Sequence, residues 1–142
     1  MQKNIETILI LPSLNIKKLK IIQAKFEYMF KASPSIIYLF VTQPTCLVRW
    51  FCDEVDNVGD AYTFSWNGEE EEASLTEDIE EELVKFVWED RPDEFLQFRI
   101  YKTDITNETI LEVTECCEED EVKSQNDIWD MNIKKLKIAC GG

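Results

Sequence analysis

The stretch of residues 124–140 constrains the fold of this chain more than any other. Set at helical spacing, Trp129, Asn132, Ile133, Leu136 and Cys140 fall on one side, and Asp127, Asp130, Lys134 and Lys137 on the other. Ser124, with Asp127 three residues on, predicts a cap at its start, each side chain satisfying a backbone donor that the first turn leaves open. Lys134, Lys135 and Lys137 crowd the carbonyl end of the helix dipole, and Gly141 can take the left-handed conformation that ends it. A long helix with a single apolar stripe needs a partner surface to cover that stripe.

The preceding chain supplies one. Phe26, Tyr28 and Phe30 alternate with polar or flexible neighbours, as in a strand with one buried face. Ser33-Pro34 then predicts a cap and first-turn proline for a short helix reaching about Val41, and Pro44 restarts a second whose Leu47, Trp50 and Phe51 share a face. Hairpins follow. Tyr62, Phe64 and Trp66 alternate up to Asn67-Gly68, a strong two-residue turn signal. Residues 70–77 are acidic with only Ala73 and Leu75 apolar, which predicts an edge or solvent-washed strand. Val84, Phe86 and Trp88 mark the next strand; Leu96, Phe98 and Ile100 another; Leu111 and Val113 the last. The expected fold class is α+β: a six-stranded antiparallel sheet with two short helices after the first strand, and a long C-terminal helix packed on the concave face.

Charge excludes some functions. The formal net charge is −14, and residues 24–131 hold eight basic against 28 acidic side chains. Such a body repels nucleic acid and anionic membrane, so neither is expected as a partner. The absence of His removes the usual general base and the commonest metal ligand. The acidic runs lack the fixed spacing and glycine turn of a calcium loop, and no metal or cofactor is expected. Five Cys without a Cys-x-x-Cys pair fit a reduced, cytoplasmic protein, and no segment is long enough to span a bilayer. Residues 1–23 read as an extension, either mobile or a start assigned too far upstream, with the domain running over 24–142. The seven residues Asn15-Ile-Lys-Lys-Leu-Lys-Ile21 recur at 132–138.

Ser33-Pro34, the Pro44 restart, Trp50-Phe51, Gly59, Phe64 with Trp66, the strand at 84–88 and the closing helix together resemble the START-like (SRPBCC, helix-grip) superfamily. Within it the chain looks most like small bacterial homologues of the C-terminal domain of the heat-shock-protein ATPase activator. The resemblance implies a hydrophobic cavity between sheet and long helix, used by some members for lipids, hormones or polyketides. Two departures stand out: Gly59-Asp60 where paired glycines are usual, and Ile128-Trp129-Asp130 where Gly-Trp often opens the last helix.

The candidate site is aromatic. Tyr28, Trp50, Tyr62, Phe64, Trp66, Phe86, Trp88, Phe98 and Trp129 can line a pocket for an apolar or amphipathic molecule, with Thr109 on the same inner register; equally, they can fill the core. Alternation past Leu111 and Val113 turns Glu115 inward, but a place at the strand end in water is the expected one. No pair of acid and base groups emerges, so no catalytic residue is assigned. The function expected is non-enzymatic binding of a small hydrophobic or amphipathic ligand; the alternative is a protein-interaction module that meets its partner through the acidic surface.

Overall fold

A computed structural model describes residues 20–142, so the first copy of the repeated heptapeptide lies almost wholly outside the described residues. The elements run β1 (Ile21–Phe30), α1 (Pro34–Thr42), α2 (Pro44–Leu47), β2 (Glu54–Val58), β3 (Ala61–Trp66), β4 (Glu69–Ile79), β5 (Leu83–Trp88), β6 (Arg91–Lys102), β7 (Thr109–Glu118) and α3 (Val122–Cys140). All seven strands form one sheet in the order β1-β7-β6-β5-β4-β3-β2, and every pairing is antiparallel. The sheet therefore has seven strands where alternation predicts six. The additional one is β2, a short edge strand whose sequence Glu-Val-Asp-Asn-Val leaves only Val55 half-buried. An edge strand held by its ladder to β3 does not need an apolar alternation, so it leaves no such signal.

β2 takes the edge position expected of the acidic strand. β4 lies inside the sheet, between β3 and β5, with Glu70 and Glu72 in solvent while Ala73 is buried. β1 begins at Ile21, five residues before the aromatic alternation, because Ile21 to Lys25 pair with Glu118 to Thr114 of β7. The start of α3 also differs from expectation. A tight helical turn at Glu119–Glu121 precedes it, with Glu118 and Glu121 as a reciprocal capping box. Ser124 donates its hydroxyl to the Glu121 carbonyl at 3.0 Å and caps nothing. At the other end Gly141 has φ +89°, and the N–H groups of Gly141 and Gly142 both reach the Lys137 carbonyl. That left-handed ending is the one its sequence predicts.

The inner face of the sheet is continuous. Phe26 and Phe98 flank Val113, Val84 lies beside Phe98, Leu96 beside Phe86, and Tyr62 and Trp88 flank Ala73. Onto it α3 places Trp129, Ile133 and Leu136, all buried. Each fully enclosed Phe on this face (Phe64, Phe86, Phe98) contributes about 1.5–3 kcal/mol, so the helix and sheet stripes stabilise one another.

Candidate functional site

Nine of the ten expected residues carry rings, and the fold gathers those rings on the inner face. They pack against each other. Trp129 is fully buried, with its ring 6.2 Å from Trp50, 6.0 Å from Phe51 and 6.1 Å from Phe98. Phe64 meets Tyr62, Trp66, Phe86 and Trp88 at centroid distances of 5.5–6.1 Å. Four of their polar tips are used locally. The indole N–H of Trp50 donates to the Phe40 carbonyl at 2.8 Å, and that of Trp66 to the Phe51 carbonyl at 2.7 Å. The Tyr62 hydroxyl donates to the Thr42 carbonyl at 2.9 Å, and burial raises its pKa. The Tyr28 hydroxyl donates to Asp130 at 3.0 Å; desolvation, then this bond, pushes its pKa up. Thr109 is buried at the start of β7, between Phe30 and Lys102 and away from the ring cluster.

The space lies to one side. A cleft of about 330 Å³ opens between residues 48–53, which join α2 to β2, and α3. Trp66 is its half-buried aromatic contact, and Trp50 and Phe51 border it with only 3% of their surface exposed; Ile128, Asn132 and Lys135 border it from α3. Of the ten expected residues, only Trp50 and Trp66 border it. The turn after β3 sets its rim: Asn67 (φ +53°) and Gly68 (φ +84°) make the two left-handed residues of a tight hairpin. The Asn67 N–H then donates to Asp53 Oδ2 at 2.7 Å, tying hairpin to cleft floor. Arg49, also at the rim, donates to the Ala139 carbonyl at 3.4 Å and lies over the Phe40 ring.

Sequence reasoning assigns no binding role to Arg49, Cys52, Asp53, Asn132 or Lys135. Asn132 carries one signal, its place beside Trp129 and Ile133 on the helix stripe; Lys135 reads as a dipole partner. The Cys52 thiol is pushed up to about 12, chiefly by burial and then by Asp53, so it stays protonated near neutral pH. Glu115, expected in water at the strand end, is instead buried, because the inward alternation of β7 continues through it, and it accepts from Gln125 Nε2 at 2.7 Å. A separate polar knot binds Arg91 to Glu71, Asp90 and Glu94 at 3.1–3.4 Å. Among the described residues, no three His, Cys, Asp or Glu side chains are grouped to hold a metal ion, and no helix is long and apolar enough to cross a membrane.

An antiparallel sheet whose inner face is closed by a long C-terminal helix, with two short helices after the first strand, defines the helix-grip class of α+β domain. Residues 17–142 match the START-like superfamily domain, and the chain belongs to that family. Solved structures agree. The Aha1 dimer from Colwellia psychrerythraea superposes with a TM-score of 0.71 at 21% identity, covering 84% of this chain and 96% of that one. A protein from Mesorhizobium loti gives 0.68 at 15% identity, with 82% and 95% covered. One from Bacteroides fragilis gives 0.62 at 27% identity, with 85% and 92% covered. No functionally curated protein matches the sequence.

Proposed function

We propose that this domain is a non-enzymatic, cytoplasmic binding protein for a small amphipathic molecule, held in the cleft between residues 48–53 and α3. The observation that carries this reading is the cleft itself, where apolar Val48, Trp66 and Ile128 stand beside polar Asn132 and Lys135. Its volume of about 330 Å³ lies at the lower end of the range of small-molecule sites. Rings that fill the core leave Trp66, with Val48 and Ile128, as the apolar contact, so the ligand lies beside the core and not within it. Binding is favoured over catalysis because the one thiol at the cleft, Cys52, holds its proton.

Native mass spectrometry of the purified protein tests this directly. A co-purifying small molecule is expected, and Asn132→Trp, which fills the cleft from the helix side, removes it. Wild-type protein that carries nothing, and binds no straight-chain amphiphile at millimolar concentration, refutes the reading. The close packing of the inner rings favours a second one, in which the solvent-facing acids of the sheet, Glu70 and Glu72 among them, meet a basic protein partner.

A further inference from the structure

We infer that the molecule held by the cleft carries an anionic group, a reading that rests on the binding function proposed above. The cleft reverses the charge balance of the protein. In a chain of net charge −14, its border holds two cations, Arg49 and Lys135, and a single acid, Asp53. One oxygen of that acid accepts the Asn67 N–H and Arg49 donates to the Ala139 carbonyl, so Lys135 is the leading cation for a ligand, with Arg49 beside it. The helix around Lys135 brings no counter-charge: residues 132–142 contain two further Lys and no acid. The second cleft provides the contrast. It opens on the outer face of the sheet, with Glu82 and Glu112 against Arg99, and keeps the acidic sign of the whole molecule. Long-range repulsion by the acidic body is screened over about 8 Å at physiological ionic strength, so the local cations decide which small ions are retained.

The order of groups along α3 gives the ligand a direction. Ile128, Asn132 and Lys135 follow one another along the cleft at spacings of four and three residues, passing from apolar to amide to cation. Seven residues of helix span about 10 Å. An apolar tail therefore lies between Ile128 and the ring of Trp66, and its anionic head reaches Lys135 and Arg49. The class this fits is a medium-chain alkyl carboxylate or an anion of similar shape.

Three probes with one tail length test it: octanoate, octanol and octylammonium, each titrated by isothermal calorimetry. Octanoate is expected to bind tightest, and added salt to weaken it. Lys135→Gln is expected to lower octanoate affinity by about twofold to fivefold, the size of a partly exposed charge pair, with octanol unchanged. Lys135→Arg restores the affinity, and thermal melts of both variants confirm folding. Equal binding of octanoate and octanol, or preference for octylammonium, overturns the anion while leaving the binding function in place. A preference for octanoate that survives both Lys135→Gln and Arg49→Gln also overturns it, since the charge would act from elsewhere. Failure of all three probes to bind removes the binding function itself.

Discussion

Substituting Trp129 tests whether α3 is held by ring burial and separates two contributions of one side chain. The indole is fully enclosed and touches three other rings. A Trp side chain buries roughly 200 Å², which at about 25 cal/mol per Å² sets an upper bound near 5 kcal/mol. Residual structure in the unfolded chain lowers that bound, while the cavity left behind raises the cost again. Trp129→Ala is therefore expected to cost about 3–5 kcal/mol. Trp129→Phe should behave differently. Its Nε1–H is buried without a hydrogen-bond partner among the described residues, and a donor in that state costs about 1–3 kcal/mol. Phe keeps a ring against Trp50, Phe51 and Phe98, and removes the donor, at a loss of about 1 kcal/mol of apolar burial. The two effects nearly cancel, so Phe should fall within about 1 kcal/mol of wild type. Urea unfolding followed by far-ultraviolet circular dichroism measures both without relying on the deleted fluorophore. A Phe variant as unstable as Ala would show that the indole N–H is satisfied. An Ala variant close to wild type would show that α3 is not held by this stripe.

Cys52 makes a prediction about pH. Its folded-state pKa of about 12 exceeds the ordinary 9.0, so the unfolded chain loses the proton first as pH rises. Stability should be unaffected by this group below about pH 9 and fall through the window up to about 12, with burial of Tyr38 and Tyr62 acting in the same direction. Urea midpoints should drop less steeply with pH in Cys52→Ala than in wild type; parallel slopes would rule the thiol out. The boundary of the domain is open to a paired truncation. A chain begun at Lys20 keeps all ten β1–β7 pairs, whereas one begun at Ala24 loses three of them and the Lys20 carbonyl that receives the Glu119 N–H at 2.9 Å. The shorter chain should be less stable by about 1–3 kcal/mol, and equal melting curves would return the boundary to residue 24.

Much of the frame is legible in local patterns because those patterns report burial. Tyr62, Phe64 and Trp66 read as a strand since one face of β3 is covered, and Asn67-Gly68 reads as a turn since both residues need positive φ. Signals fail where burial is not the cause. β2 is fixed by its ladder to β3, and Glu54 and Asp56 are exposed. The capping box at Glu118 and Glu121 hides inside an acidic run that resembles any solvated loop. The cleft is harder still. Its two walls come from residues 48–53 and from α3, which are brought together only by tertiary packing, so no spacing in the chain announces Lys135 as a neighbour of Trp50.

The repeated heptapeptide shows why local reading stops there. Its final residue is Ile21 in one copy and Ile138 in the other. Ile21 opens β1 opposite Glu118, whereas Ile138 sits in α3 with 85% of its surface exposed. The same residues precede both while different ones follow, so the heptapeptide alone does not fix whether its last residue is strand or helix. In the second copy Ile133 and Leu136 find the ringed face of the sheet, and winding follows from covering them. The same event turns Lys135 away from the core and onto the cleft. The cation at the cleft is thus a by-product of which apolar residues the helix buries, and if the cleft binds as proposed, substitutions that rotate α3 about its axis should alter binding before they unfold the domain.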